Sequence, residues 1–271
     1  MAKVLVVTSG KGGVGKTTTT AAIGAALAQT GERVVVVDFD VGLRNLDLVM
    51  GAERRVVFDL VNVIQGDAKL SQALIRDKRL ETLSLLPASQ TRDKDALTTE
   101  GVARVIAELR EKFDWIICDS PAGIERGATH AMHHADAAIV VTNPEVSSVR
   151  DSDRIIGLLD SKTLRAERGE RVEKHLLLTR YDSARAARGE MLTTEDVLEI
   201  LSIPLLGIIP ESTEVLRASN IGSPITLAAP LSAPARAYRD AVKRLRGETV
   251  AMSVPAERRG FVEKLFRRRV A

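Results

Sequence analysis

The 271-residue sequence holds a single cysteine, Cys118, so one chain can form neither an internal disulfide nor a metal site made of cysteines alone. It also lacks any apolar run near the ~20 residues that span a bilayer. Met1 to Lys3 lead directly into Val4 to Val7, without the long apolar stretch and small-residue cleavage site of a secretory signal. The expected location is therefore the cytoplasm. No Pro/Gly/Ser-rich linker, low-complexity block or solenoid-length repeat interrupts the chain before Gly247. Charge of one sign is scarce too: 39 basic residues face 36 acidic ones, for a net of +3. Six basic and two acidic residues fall between Glu257 and Ala271, which leaves the body near neutral and argues against a globally basic nucleic-acid-binding domain. What the chain does have is 45% hydrophobic and 28% charged residues, enough for a sizeable core and unlike a disordered or collagenous composition.

Short β-branched runs alternate with longer helical patterns. Lys3 to Thr8, Arg33 to Asp38, Thr82 to Leu86, Asp114 to Asp119, Ala137 to Thr142, His175 to Thr179 and Leu205 to Ile209 read as strands. Their near-continuous apolar character predicts cover on both faces, as in a mostly parallel sheet. Helices are predicted over Lys16 to Thr30, Thr98 to Lys112, Ser147 to Leu164, Thr193 to Leu201 and Ala233 to Arg246. This alternation predicts an α/β fold, doubly wound, spanning residues 1–246. Residues 247–256 (GETVAMSVPA) read as a tether that would span roughly 17 Å as a random coil.

The first strand runs into Gly10-Lys11-Gly12-Gly13-Val14-Gly15-Lys16-Thr17, a G-x-x-x-x-G-K-[ST] pattern between a strand and a helix. Such glycines permit a backbone path on which successive N–H groups point at a polyphosphate, and the following helix adds its positive end. Gly12 to Thr18 are the expected nucleotide-binding stretch of this P-loop. Lys16 would reach the β and γ phosphates, and Thr17 would offer its hydroxyl to Mg²⁺. Asp119, ending the strand Trp115 to Asp119, has the position of a second Mg²⁺ partner, acting through water. A strand-terminal aspartate is also a common cap or turn former. Asp40 could orient the attacking water, whereas Asp38 is as readily a structural residue that holds its loop by hydrogen bonds. A glycine-rich turn with no ligand, and a merely solvated Lys11, are the plain alternatives for this loop.

The second lysine makes KGGVGKT resemble the deviant Walker A ATPases, the family that includes the MinD, ParA and nitrogenase iron proteins. The blocks Asp38 to Gly51, Val56 to Ala68, Leu86 to Thr98, Cys118 to Glu125, Thr142 to Ile155 and Val215 to Asn220 resemble its bacterial cell-division branch over nearly the whole chain. The resemblance implies a slow, partner-stimulated ATPase that pairs in Mg·ATP, with Lys11 reaching the phosphates held by the second subunit. It implies one switch over Asp38 to Asp47 and another over Asp119 to Glu125, with Gly123, Glu125 and Glu145 near the nucleotide or dimer face and Arg180 beside the base. It further implies MinC as inhibitor cargo, MinE as activator and a role in placing the division septum. An iron protein needs two cluster cysteines per subunit, and Cys118 alone inside an apolar strand reads as a small buried hydrophobe.

Residues 257–271 form an expected amphipathic helix. Phe261, Val262, Leu265, Phe266 and Val270 share one half of a helical wheel, and Lys264, Arg267 and Arg268 share the other, with Arg269 intruding on the apolar arc. A helix docked on the body, a nucleic-acid arm and a helix lying on anionic lipid all compete. The last accounts for both faces and for the tether, and agrees with the resemblance. Membrane lipid and a second copy of the chain are thus expected partners, and nucleic acid is not. A DNA-partitioning ATPase with a basic tail, or a nucleotide-gated scaffold with negligible turnover, are the competing functions.

Overall fold

Eight strands form one sheet in a computed structural model that describes residues 2–90, 92, 96–124 and 126–253. In chain order these are β1 (Lys3–Thr8), β2 (Val34–Asp38), β3 (Ile75–Arg76), β4 (Leu83–Leu86), β5 (Trp115–Asp119), β6 (Ala137–Thr142), β7 (Glu173–Tyr181) and β8 (Leu205–Pro210). Across the sheet they lie in the order β3-β4-β2-β5-β1-β6-β7-β8, with every pairing parallel except β3 on β4. The longer helices are α1 (Lys16–Ala28), α5 (Thr99–Lys112), α7 (Val146–Leu159) and α13 (Ala233–Leu245). Shorter ones are α2 (Leu46–Val49), α3 (Leu60–Gln65), α4 (Leu70–Ala73), α6 (Arg126–His133), α8 (Leu164–Glu167), α9 (Ser183–Ala187), α10 (Thr194–Leu201), α11 (Thr213–Asn220) and α12 (Ile225–Ala228).

The apolar runs are buried on both faces because side chains alternate across a strand. Val4 and Val6 of β1 join Val35 and Val37 of β2 in the core under α3, α5, α6, α7 and α10. Leu5, Val7, Val34 and Val36 join the opposite core under α1, α2, α11, α12 and α13. Helices therefore cover both faces, as a doubly wound sheet requires.

Three departures from the sequence reading have local causes. The helix expected from Ser147 to Leu164 is two: α7 stops at Leu159, and Thr163 turns the chain and caps α8 by accepting from the amide of Ala166. Strand β3 is only two residues long, too short for a hydrophobic period to register. The short helices α3 and α11 are set by capping rather than by a long apolar stripe. Asp59 and Asn62 form a reciprocal capping box at α3, and Ser212 accepts from Glu214 at α11.

Residues 247–253 carry neither helix nor strand, and the guanidinium of Arg244 donates to the carbonyls of Val250 and Ala251, at 3.0 and 2.6 Å. The expected membrane helix, 257–271, lies outside the described residues, as does Glu125. Among the described residues no helix is long and apolar enough to cross a membrane.

Candidate functional site

The parallel sheet delivers the carboxyl ends of its central strands to one crevice, where ligands bind in open α/β sheets. β1 ends at Thr8, and the chain turns through Ser9 to Gly15 before entering α1 at Lys16. Gly15 caps that helix with φ 97°, a left-handed conformation open to glycine at little cost, and no side chain caps the amides of the first turn. No acidic residue occupies that turn either. Donors and helix dipole therefore point into the crevice without an internal partner from either source. Gly10 is required for a different reason: a Cβ there would stand 2.2 Å from the backbone carbonyl carbon of Asp151, so only glycine lets the loop lie against α7.

Lys16 is nearly buried, and its ammonium donates to Ser9 Oγ at 2.9 Å and to the Lys11 carbonyl at 3.5 Å. Burial lowers its pKa, while Asp119 and Asp40 pull it back up. A positive charge sits here with few internal contacts, placed to meet an anion. On the other side, Asp119 accepts from Thr20 Oγ1 at 2.9 Å and from the Thr17 hydroxyl. Its carboxyl is pushed up to about 6, mainly by burial, with Thr17, Thr20 and Lys16 opposing.

Neighbouring strands explain the crowding: β2 and β5 pair in register, so Asp38 lies directly across from Asp119. Asp38 is fully buried and raised well above the carboxylate range by burial and by Asp119. Its oxygens accept from the amides of Asp40, at 2.8 Å, and Leu46, at 3.2 Å, which ties down the loop after β2. Asp38 thus holds its loop by hydrogen bonds, the structural role open to it in the sequence. Asp40 is half-buried and close enough to act electrostatically on both Lys16 and Asp119. The Gly123 amide donates to the Ser9 carbonyl at 3.2 Å, joining the loop after β5 to the phosphate loop.

Lys11 stands at the mouth of this crevice. Its ammonium contacts Glu145 Oε2 at 3.2 Å and Ser147 Oγ at 3.1 Å, both at the start of α7 in the same chain. Glu145 was expected near this face, but its pairing with Lys11 is not visible in any sequence spacing.

Beside the loop lies a cavity of about 360 Å³ lined by Val14, Thr18, Arg180, Pro210, Ser212 and Leu216, among others. Arg180 is exposed with φ 54°, and the preceding Thr179 hydroxyl anchors the wall through Val14 O at 2.7 Å and Asn143 Oδ1 at 2.8 Å. Apart from Arg180, the β7 and β8 side of this cavity was missed by sequence reading. The signal available was the Ser212 cap opening α11 directly after the β8 strand. Cys118 is buried in β5 with its thiol pushed up to about 12, as a packing residue would be. Among the described residues no group of three or more His, Cys, Asp or Glu side chains could hold a metal ion by itself. The residues here instead suit a hydrated Mg²⁺ that also takes phosphate oxygens, the usual habit of that ion.

Comparison with known proteins agrees with this geometry. The profile of the CobQ/CobB/MinD/ParA nucleotide binding domain matches residues 5–225. The septum site-determining protein MinD of Escherichia coli (strain K12) is 62% identical over 270 residues, covering 98% of this chain and 99% of that protein. The MinD of Neisseria meningitidis serogroup B is 61% identical over the same length. Among solved structures, the MinC:MinD cell division protein complex of Aquifex aeolicus matches with a TM-score of 0.84 and 40% identity, over 94% of this chain and all of that one. MinD of Pyrococcus horikoshii complexed with Mg-ADP matches with a TM-score of 0.80 and 32% identity, over 90% and 96%.

Proposed function

We propose that this chain, which belongs to the CobQ/CobB/MinD/ParA family of nucleotide-binding proteins and to the MinD septum site-determining proteins within it, works as an ATP-driven membrane switch. It is an ATPase of division-site selection. One observation carries it: an uncapped helix terminus and a buried lysine face one crevice, and a second lysine waits at the mouth on a surface ion pair.

In this reading the loop amides from Gly12 to Thr18 and Lys16 bind the phosphates, and the base lies in the cavity beside Arg180. The Thr17 hydroxyl, and the Asp119 carboxylate through water, would hold Mg²⁺, which would supply neutralising charge to the phosphate oxygens. Asp40 orients the attacking water. Lys11 leaves Glu145 and Ser147 to reach the phosphates of a second subunit, which sandwiches two nucleotides between two chains. Among the described residues no histidine or other strong general base stands beside Asp40 in the crevice, which fits a turnover that is slow until a partner completes the site. MinC, which is in complex with MinD in the Aquifex structure, is the proposed cargo, and MinE the proposed activator.

The tail supplies the output. Partial burial of its five apolar side chains, each worth up to ~1.5 to 3 kcal/mol, together with ~1 kcal/mol for each basic residue near acidic lipid, is largely offset by ordering at ~1 to 2 kcal/mol per residue. One tail binds marginally; two on one dimer gain ~100-fold or more in avidity because the second contact is intramolecular. Co-sedimentation should therefore show the protein on anionic vesicles with a non-hydrolysable ATP analogue and not with ADP. Nucleotide-dependent retention on duplex DNA, with none on vesicles, would replace this reading by a DNA-partitioning one.

A pH response follows from the paired carboxyls. Mg²⁺ binds the ionised form of Asp119, so Mg²⁺-dependent nucleotide retention should weaken as pH falls from about 7 to about 5. Acid unfolding through this group is not the cause. A carboxyl whose pKa is raised by folding stabilises the fold below its unfolded pKa, and that contribution disappears as pH rises through about 6. Nucleotide titration at several pH values, with melting followed in parallel, checks both halves. Retention that is flat across the range contradicts the assignment.

A further inference from the structure

Helix α13 carries four basic residues and one acidic residue, whereas α10 on the opposite face carries three acidic residues and no basic one. Continuing into Arg246, the positions Arg236, Arg239, Lys243 and Arg246 are spaced three, four and three apart, a single helical stripe. Arg236, Lys243 and Arg246 are exposed and Arg239 half-buried, while Ala235, Tyr238, Ala241, Val242 and Leu245 of the other face fill the core.

The stripe is only partly neutralised. Arg236 and Arg239 donate to the carbonyls of Leu231 and Pro230, which satisfies their N–H groups without cancelling their charge. Lys243 faces Asp240 at 3.5 Å, and Arg246 faces Glu32 and Glu248, each at 3.7 Å. Leu231 at the head of the helix is 82% exposed, so the face presents basic groups beside an apolar side chain. That is the same pairing of chemistries found in the tail sequence.

Chain length then limits where this face can go. Arg244 turns inward, donating to the Leu206 carbonyl at 2.8 Å and holding Val250 and Ala251 against the end of α13. Phe261 lies ten positions beyond Ala251, a distance of roughly 17 Å as a coil and at most ~36 Å when straight. That length lets the body settle on a bilayer gripped by Phe261 and its neighbours until the stripe lies within the ~8 Å screening length of the headgroups, where basic groups are attracted.

We propose that the outer face of α13, through Arg236, Arg239, Lys243 and Arg246 with Leu231, is a second membrane-contact surface that docks the folded body on anionic lipid. This rests on the tail being the primary anchor. The surface acts as an orienting contact: it adds affinity for acidic headgroups and fixes which side of the body faces the bilayer.

The test uses the full chain with Mg²⁺ and a non-hydrolysable ATP analogue, on phosphatidylglycerol-rich and on phosphatidylcholine vesicles. The variant R236Q/R239Q/K243Q/R246Q should bind the acidic vesicles at least about tenfold more weakly, with a flatter salt dependence, since each basic group near such a surface contributes a several-fold factor. Basal ATP hydrolysis and dimerisation should not change, and the charge-preserving R236K/R239K/R246K should bind like the native chain. Equal binding by the neutral variant and the native chain overturns the proposal, as does retention of the native stripe on duplex DNA in place of vesicles. A companion variant, F261E/L265E, separates the two claims. If it still binds while the stripe variant does not, the tail is not the primary anchor and the secondary, orienting role of the stripe falls with it; if it alone loses binding, the stripe falls and the tail stands.

Discussion

Replacing Lys11 by alanine is expected to leave the protein monomeric in Mg·ATP and to lower partner-stimulated turnover by about 10²- to 10³-fold, the usual cost of removing one preorganised charge from a transition state. The contact that Lys11 gives up is small. Its ion pair with Glu145 is 43% and 55% exposed on its two side chains, a setting in which such pairs contribute ~0 to 1 kcal/mol. A polyphosphate offers the same ammonium several charge-assisted hydrogen bonds in a closed interface, where water no longer competes. In the proposed scheme, transfer from Glu145 to the partner's nucleotide is therefore downhill once the closed interface presents those phosphates. The alanine variant should fold normally, because no core contact is lost. Light scattering with bound analogue and a phosphate-release assay with the activator present measure the two effects. A dimer of normal turnover in the variant would remove Lys11 from the mechanism.

A second large effect is expected at Lys16, with opposite consequences for binding and folding. Replacement by methionine should weaken nucleotide retention by at least about 100-fold, yet leave the nucleotide-free fold equally stable or more so. Burial already lowers the Lys16 pKa, the sign of an ammonium held against its desolvation cost. An apolar chain of similar length removes that cost. Ser9 Oγ keeps its own bond to the Lys11 carbonyl at 2.7 Å, so no buried hydroxyl is orphaned. Ligand that fills the site at 100 times its Kd stabilises the native chain by ~2.7 kcal/mol, a rise in melting temperature that the variant should lack. Melting curves with and without Mg·ADP read both terms. A variant that is less stable when empty but still raised by nucleotide would contradict the assignment.

The sequence made the sheet legible because buried parallel strands are continuous apolar runs: β1 and β6 fall on their expected residues, and the other long strands differ only at their ends. The phosphate loop was legible because its chemistry is local, a fixed spacing between one strand and one helix. What the sequence hid arises from pairings between distant segments. Asp38 meets Asp119 only because β2 and β5 are neighbours, and Lys11 meets Glu145 only because β6 lies beside β1. The base-side cavity is likewise assembled from the ends of β7 and β8 with α11, segments that share no spacing rule with the loop. Short capped helices escaped for a different reason: α3 is fixed by two side chains, Asp59 and Asn62, and not by periodicity.

In the proposed switch, triphosphate moves one ammonium from its own chain to another and so joins two membrane anchors. Solving the Mg²⁺-bound protein with a non-hydrolysable ATP analogue places that group directly. The expected result is a two-fold dimer in which Lys11 Nζ has left Glu145 and Ser147 and lies on the phosphates bound by the opposite subunit. A saturated complex that is still monomeric, or a dimer with Lys11 still on Glu145 of its own chain, would contradict it.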